Sequence, residues 1–141
     1  MKFNVKDLDI EFLKQRAFTE AKEIHSKEST RRGRSLEEIK ETCLYGHAAE
    51  VYLITHQGFK DNPLDYTDVK TPAGKAAEIK VTQIEQYVPY VLKRCNEAAR
   101  EKWRNYPAIL YIFIGNKDTL DYHLYGRYCY NGIEFVKETN D

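Results

Sequence analysis

Asp68 and the run Glu78-Ile79-Lys80 are the residues of this 141-residue chain whose types and spacing best suit chemistry. Between them lies Thr71-Pro72-Ala73-Gly74-Lys75, which reads as a hairpin turn. Pro72 and Ala73 suit the helical positions of a type I turn, and Gly74 suits the left-handed position of the bulge that closes a three-residue loop. Thr71 then faces Lys75, Lys70 faces Ala76, Val69 faces Ala77 and Asp68 faces Glu78. Strand alternation puts Lys80 beside Glu78 and sends Asp65 to the other face. Two acids directly across a ladder repel each other unless a positive charge sits between them. A hard divalent ion such as Mg²⁺ fills that place, and Lys80 can reach a metal-bound water or a phosphate oxygen, which is the chemistry of phosphodiester hydrolysis. The competing reading of so short a pattern is a surface hairpin whose Asp, Glu and Lys are simply solvated.

The helix upstream supplies a third carboxylate. Ser35-Leu36-Glu37-Glu38 reads as a capping box and Gly58 as a C-terminal stop, which predicts one helix over residues 36 to 57. Ile39, Cys43, Gly46, Glu50 and Leu53 fall on one line at three- and four-residue spacing, so Glu50 points toward the core. A buried glutamate needs a partner. Either a lysine at the margin of the core pairs with it, or it reaches the hairpin as a further metal or water ligand.

Gly46-His47-Ala48-Ala49-Glu50 on a helix, then Asp68, then Glu78-Ile79-Lys80 after a hairpin, resembles the PD-(D/E)xK nuclease superfamily over roughly residues 36 to 114. The dipeptide that names the motif is missing: Thr67 precedes Asp68, and the nearest proline, Pro63, precedes Leu64. Asp65 thus competes with Asp68 as first ligand, and strand parity favours Asp68. The resemblance implies that Asp68, Glu78 and Glu50 hold Mg²⁺, with Mn²⁺ able to substitute, and that Lys80 positions or activates the attacking water. It implies a restriction-endonuclease-like α/β sandwich and a Mg²⁺-dependent DNA endonuclease. Gln83 with Tyr87, and Gln86 with Tyr90, are similar to the Gln-x-x-x-Tyr element of the exonuclease branch, which places Gln83 near nucleic acid. A catalytically silent nuclease-fold module that binds nucleic acid or inhibits another nuclease, and an RNA-processing nuclease, are the alternatives.

The whole chain reads as a single α/β domain with a central mixed sheet flanked by helices. Residues 1 to 34 form an N-terminal helix and basic joint, 36 to 114 the catalytic core, and 115 to 141 a C-terminal hairpin. Asp7 or Asp9 caps a first helix ending near Ser29, and strands are expected at 65 to 71 and 75 to 82. A second capping box, Thr82 to Glu85, opens a helix to about Asn105 that bends or restarts at Pro89. Ala108 to Ile114 is apolar on both faces, the mark of a central strand. Strands at 120 to 130 and 133 to 136 follow, joined by Asn131-Gly132 as a type I′ turn.

Equal numbers of basic and acidic residues, 22 of each, give no net positive field. Distribution matters more. Arg31, Arg32 and Arg34 form a basic joint around Gly33 and are the preferred DNA contact, while Lys93, Arg94, Arg100, Lys102 and Arg104 read as an ordinary solvated helix face. The tyrosines Tyr122, Tyr125, Tyr128 and Tyr130 read as sheet packing or a dimer surface, and a homodimer is expected because one site cuts one strand. Three cysteines, an odd number without metal spacing, fit a reducing cytoplasm, and the resemblance to the nucleases is compatible with a bacterial or phage-infected cell. No segment has the apolar length of a membrane span.

Overall fold

Helix α1, Ile10–Ser26, begins where Asp9 accepts a hydrogen bond from the Phe12 amide at 3.1 Å, satisfying one of the donors that a helix start leaves unpaired. The computed structural model describes residues 1–61 and 69–138. The chain then makes a short helical turn, α2, Glu28–Arg31, where a longer first helix and a loose joint are expected from sequence. Arg32 and Gly33 both take positive φ there, 52° and 73°, which ends the turn and redirects the chain. Helix α3, Leu36–His56, matches its expected bounds to within one residue. Ser35 accepts from the Glu38 amide at 3.1 Å and donates to the Glu38 carboxylate at 3.2 Å, which joins the two residues of the expected capping box.

The hairpin forms in the expected register as far as it is described. The Gly74 amide donates to the Thr71 carbonyl at 2.8 Å, Gly74 takes φ +86°, and the Thr71 amide donates to the Lys75 carbonyl at 2.8 Å. Strand β3, Val69–Lys70, pairs antiparallel with β4, Ala76–Thr82, through Val69 opposite Ala77 and Lys70 opposite Ala76. Asp65 and Asp68 lie outside the described residues. An unforeseen two-residue strand β2, Lys60–Asp61, adds to the far side of β3.

Thr82 ends β4 and does not cap a helix. A 3₁₀ turn, Glu85–Tyr87, precedes helix α4, Val88–Lys102, and Pro89 stands in that helix's first turn. The proline therefore starts the helix: its missing amide is one that the first turn leaves unbonded anyway. Helix α4 carries the chain back so that β5, Ile109–Gly115, lies parallel to β4. Strand β6, Asp121–Tyr130, runs antiparallel to β5 with a register shift between Ile112 and Phe113. The next turn departs from expectation. Tyr130 pairs with Phe135, so residues 131 to 134 form a four-residue connection to β7, Phe135–Lys137. Among those residues only Gly132 takes positive φ, whereas a type I′ turn needs it at both central positions; the Asn131 side chain instead accepts from the Ile133 and Glu134 amides at 2.9 Å each.

The sheet runs β1-β6-β5-β4-β3-β2, with β7 also on β6 and with β1, Lys2–Asn4, at one edge. Its two faces are covered differently. Ala77, Ile79, Ile109, Tyr111 and Phe113 pack against α1 and α3. Leu110 and Ile112 pack under α4 with Val88, Cys95 and Ala99. A third cluster, Ala17, Ala21, Ile39 and Cys43, closes the seam between α1 and α3. The molecule is a mixed α/β structure. Tyr122 and Tyr128 are buried, and Tyr122 stacks on Phe3 at 4.8 Å, so these two serve packing. No helix among the described residues is long and apolar enough to cross a membrane.

Candidate functional site

Alternation along β4 decides where its polar residues go. Glu78 is level with Leu110 and Lys80 with Ile112 on the neighbouring strand, and neighbours across a ladder share a face. Glu78 and Lys80 therefore project on the α4 side, and their side chains form an ion pair of 3.2 Å. They floor an open cleft of about 810 Å³ whose other wall is one line of α4: Tyr90, Arg94, Ala98 and Lys102. A constant spacing of four residues runs those four along one side of the helix. Arg104 also lines the cleft, so among the described residues four cations meet one carboxylate there.

Glu50 enters a different assembly. It is 4% exposed, as its place on the apolar stripe of α3 predicts. Its carboxylate accepts from Arg16 Nε at 2.7 Å and is bonded to His47 Nδ1 at 2.8 Å. Arg16 also pairs with Asp61 of β2, and His47 Nε2 pairs with Glu20 of α1. A chain of alternating charge, Asp61-Arg16-Glu50-His47-Glu20, thus ties α1, α3 and β2 together. Neither sequence-based partner for Glu50, a marginal lysine or the hairpin metal, foresees the arginine. The signal was present in part: Arg16 and Glu20 are four apart and flank the Leu13-Ala17-Ala21 stripe, and His47 is one turn from Glu50.

Burial pushes the His47 imidazole down, but its hydrogen bonds to Glu20 and Glu50, reinforced by their charges, outweigh that and raise its pKa to about 9. Glu20 is held below the usual carboxylate range, first by the His47 bond, then by the charges of His47, Arg16 and Lys80. The field of Lys80 therefore reaches this chain of charges. A measurable consequence follows from the raised imidazole pKa, since a cation favoured by folding adds stability below the unfolded value and loses it as pH climbs through the folded one. His47 is worth on the order of 2–3 kcal/mol at pH 6, and that contribution drains between pH 6.5 and about 9. Urea midpoints taken from pH 6 to 10 should fall across that window, and His47→Gln should flatten the fall; equal slopes in parent and variant would contradict it.

The residues assigned to nucleic acid from sequence lie elsewhere. Arg31 sends its guanidinium to the His25 carbonyl at 3.5 Å, and Arg34 donates to the Arg31 and Thr30 carbonyls at 3.1 and 2.8 Å. Two of the three joint arginines thus tether backbone on the side of the molecule away from the cleft. Arg32 and Gln83 are exposed. Conversely, Arg94, Lys102 and Arg104, expected from sequence on a solvated helix face, line the same cleft as Glu78 and Lys80.

Among the described residues no group of three Asp, Glu, His or Cys side chains is placed to hold a metal ion. In the cleft the described residues offer Glu78 as a hard anionic ligand, the oxygen chemistry that suits Mg²⁺. Comparison with family models, with characterised proteins and with solved structures gives no match.

Proposed function

We propose that this chain is a Mg²⁺-dependent DNA endonuclease with a restriction-endonuclease-like fold, its reaction centred on Glu78 and Lys80 at the floor of the α4 cleft. The observation that carries the reading is the placement of a carboxylate-lysine pair two residues apart on a central strand, opening into a cleft walled by Arg94, Lys102 and Arg104. The hairpin register supports it: pairing runs in the expected frame to Val69 opposite Ala77, one residue short of Asp68. Asp68 and Glu78 are the proposed Mg²⁺ ligands. A bound ion would acidify a water and neutralise charge on the scissile phosphate. Lys80 offers its ammonium to that nucleophile and to developing negative charge, while the arginines of the cleft wall hold the flanking phosphates. Glu50 takes the role of brace, through Arg16 and His47. A homodimer would place two such centres on the two strands of a duplex.

Incubation of the purified chain with supercoiled plasmid should give nicked and linear products in Mg²⁺ and none in EDTA. Asp68→Ala should be inactive and Asp65→Ala active on the strand expected from sequence over 65 to 71, where residues three apart face opposite ways. Activity surviving in Asp68→Ala but lost in Asp65→Ala would shift the first ligand. Binding without cleavage of any DNA form in Mg²⁺ or Mn²⁺ would replace the nuclease with a nucleic-acid-binding module.

A further inference from the structure

Trp103 is held in a position that stability alone does not explain. It closes α4 with its amide donating to the Ala99 carbonyl, yet its backbone sits at φ 51°, ψ −121°, a region open to glycine and strained for a bulky side chain. The indole gains little burial in return: it is 65% exposed. Strain and an exposed indole in one residue are two costs without a packing return. Trp103 is flanked by Lys102 and Arg104, both of which line the Glu78–Lys80 cleft. At the other end of the same helix, Tyr90 is 62% exposed and also lines the cleft, with the Arg94 guanidinium 5.9 Å from its ring centroid. Tyr90 thus lines the cleft at one end of the basic wall, and Trp103, outside the lining itself, sits in the chain between the two cations at the other end, roughly 20 Å along the helix.

Cations with exposed rings beside them match the needs of an unpaired strand, whose bases have free faces to stack; in a duplex those faces are already stacked on one another. We propose that the α4 cleft binds a single-stranded polynucleotide, with Trp103 and Tyr90 as base-stacking platforms and Arg94, Lys102 and Arg104 on the phosphates. This deepens the nuclease reading by naming the form of substrate, and it rests on the same cleft. The strand passes over Glu78 and Lys80, so the substrate is a single strand, a flap or the open arm of a junction.

Trp103 is the chain's single tryptophan, which makes its fluorescence a direct reporter. Titration of the whole chain in EDTA, where hydrolysis is suppressed, with dT12, rU12 and a 12-base-pair duplex should show quenching by one or both single strands and little by the duplex. The tighter of the two oligonucleotides identifies the sugar. Trp103→Gly suits the observed φ and ψ, so it should raise the melting temperature while lowering single-strand affinity on the order of tenfold by fluorescence anisotropy of labelled oligonucleotide. Tyr90→Ala should lower affinity similarly. Unquenched tryptophan at saturating dT12 and rU12, tighter binding of the duplex, or parental affinity in Trp103→Gly would overturn the proposal. Quenching by a protein that cuts no DNA would remove the nuclease reading and leave this one standing; cleavage without quenching would do the reverse.

Discussion

Lys80→Ala is expected to slow single-turnover DNA cleavage by roughly two orders of magnitude or more while changing DNA affinity only a few-fold. The asymmetry follows from where the ammonium lies. It is paired with Glu78 at 3.2 Å on the cleft floor, where negative charge would develop during phosphodiester cleavage, and it is one of four cations that line the cleft among the described residues. An interaction made mainly in the transition state lowers the rate far more than the affinity when removed. Replacing Arg94 and Arg104 together should do the opposite. Affinity and its salt dependence fall because phosphate contacts release counterions, while the rate at saturating DNA stays near the parental value. Arg31 and Arg32, on the other side of the sheet, should matter little to either. Equilibrium binding in Ca²⁺ and single-turnover cleavage in Mg²⁺ measure the two quantities separately. A Lys80→Ala variant that cuts at the parental rate would remove Lys80 from the chemistry, and a large affinity loss on changing Arg31 and Arg32 would return DNA contact to the basic joint.

Glu50→Ala should cost about 3–5 kcal/mol of folding stability, because it strips a buried anion from between two cations. Arg16 Nε and the His47 Nδ1 edge both lose their bonds in a site where water cannot easily replace them. Asp61 and Glu20 remain as outer partners, which keeps the loss from being larger. Glu50→Gln preserves the shape and part of the hydrogen bonding, so it should cost less, about 1–2 kcal/mol. Urea denaturation of the three proteins at pH 7 gives the ranking. If Glu50→Ala instead folds as stably as the parent and loses only cleavage, the carboxylate belongs to the metal and not to the brace.

Local chemistry in the sequence carried the turn at Thr71 to Lys75, the cap at Ser35 and the burial of Glu50, because each is settled within a few residues by backbone preference or helical period. What escaped it is set by partners distant in the chain. Strands β1 and β2 have three and two residues, too few for a period to register, and exist because β6 and β3 offer them open edges. Arg16 meets Glu50 only because α1 and α3 pack side by side, a fact no local pattern encodes. The Asn131-Gly132 pair shows a local rule losing to register: β7 aligns Phe135 with Tyr130 and tucks it under α4, where the Asn96 side chain accepts its amide at 2.8 Å, and the turn lengthens to suit. The α4 cleft was half legible. Its cations were visible in the sequence, but their common face with Glu78 and Lys80 depends on the crossover that makes β4 and β5 parallel.

The placement of β1 beside β6 also dictates the order of assembly during synthesis. Lys2, Phe3 and Asn4 are made more than a hundred residues before their partners His123, Tyr122 and Asp121. Phe3, which ends up sandwiched between Tyr52 at 4.4 Å and Tyr122 at 4.8 Å, has half of that sandwich missing until then. Helices α1 and α3 can meet early, because their contacts span a short stretch of chain, whereas closing the loop from residue 3 to residue 122 is the longest-range event in the sheet. Until β6 is made, the nascent protein therefore carries β1 as an unpaired aromatic strand, and only β7 joins the sheet from chain made later still.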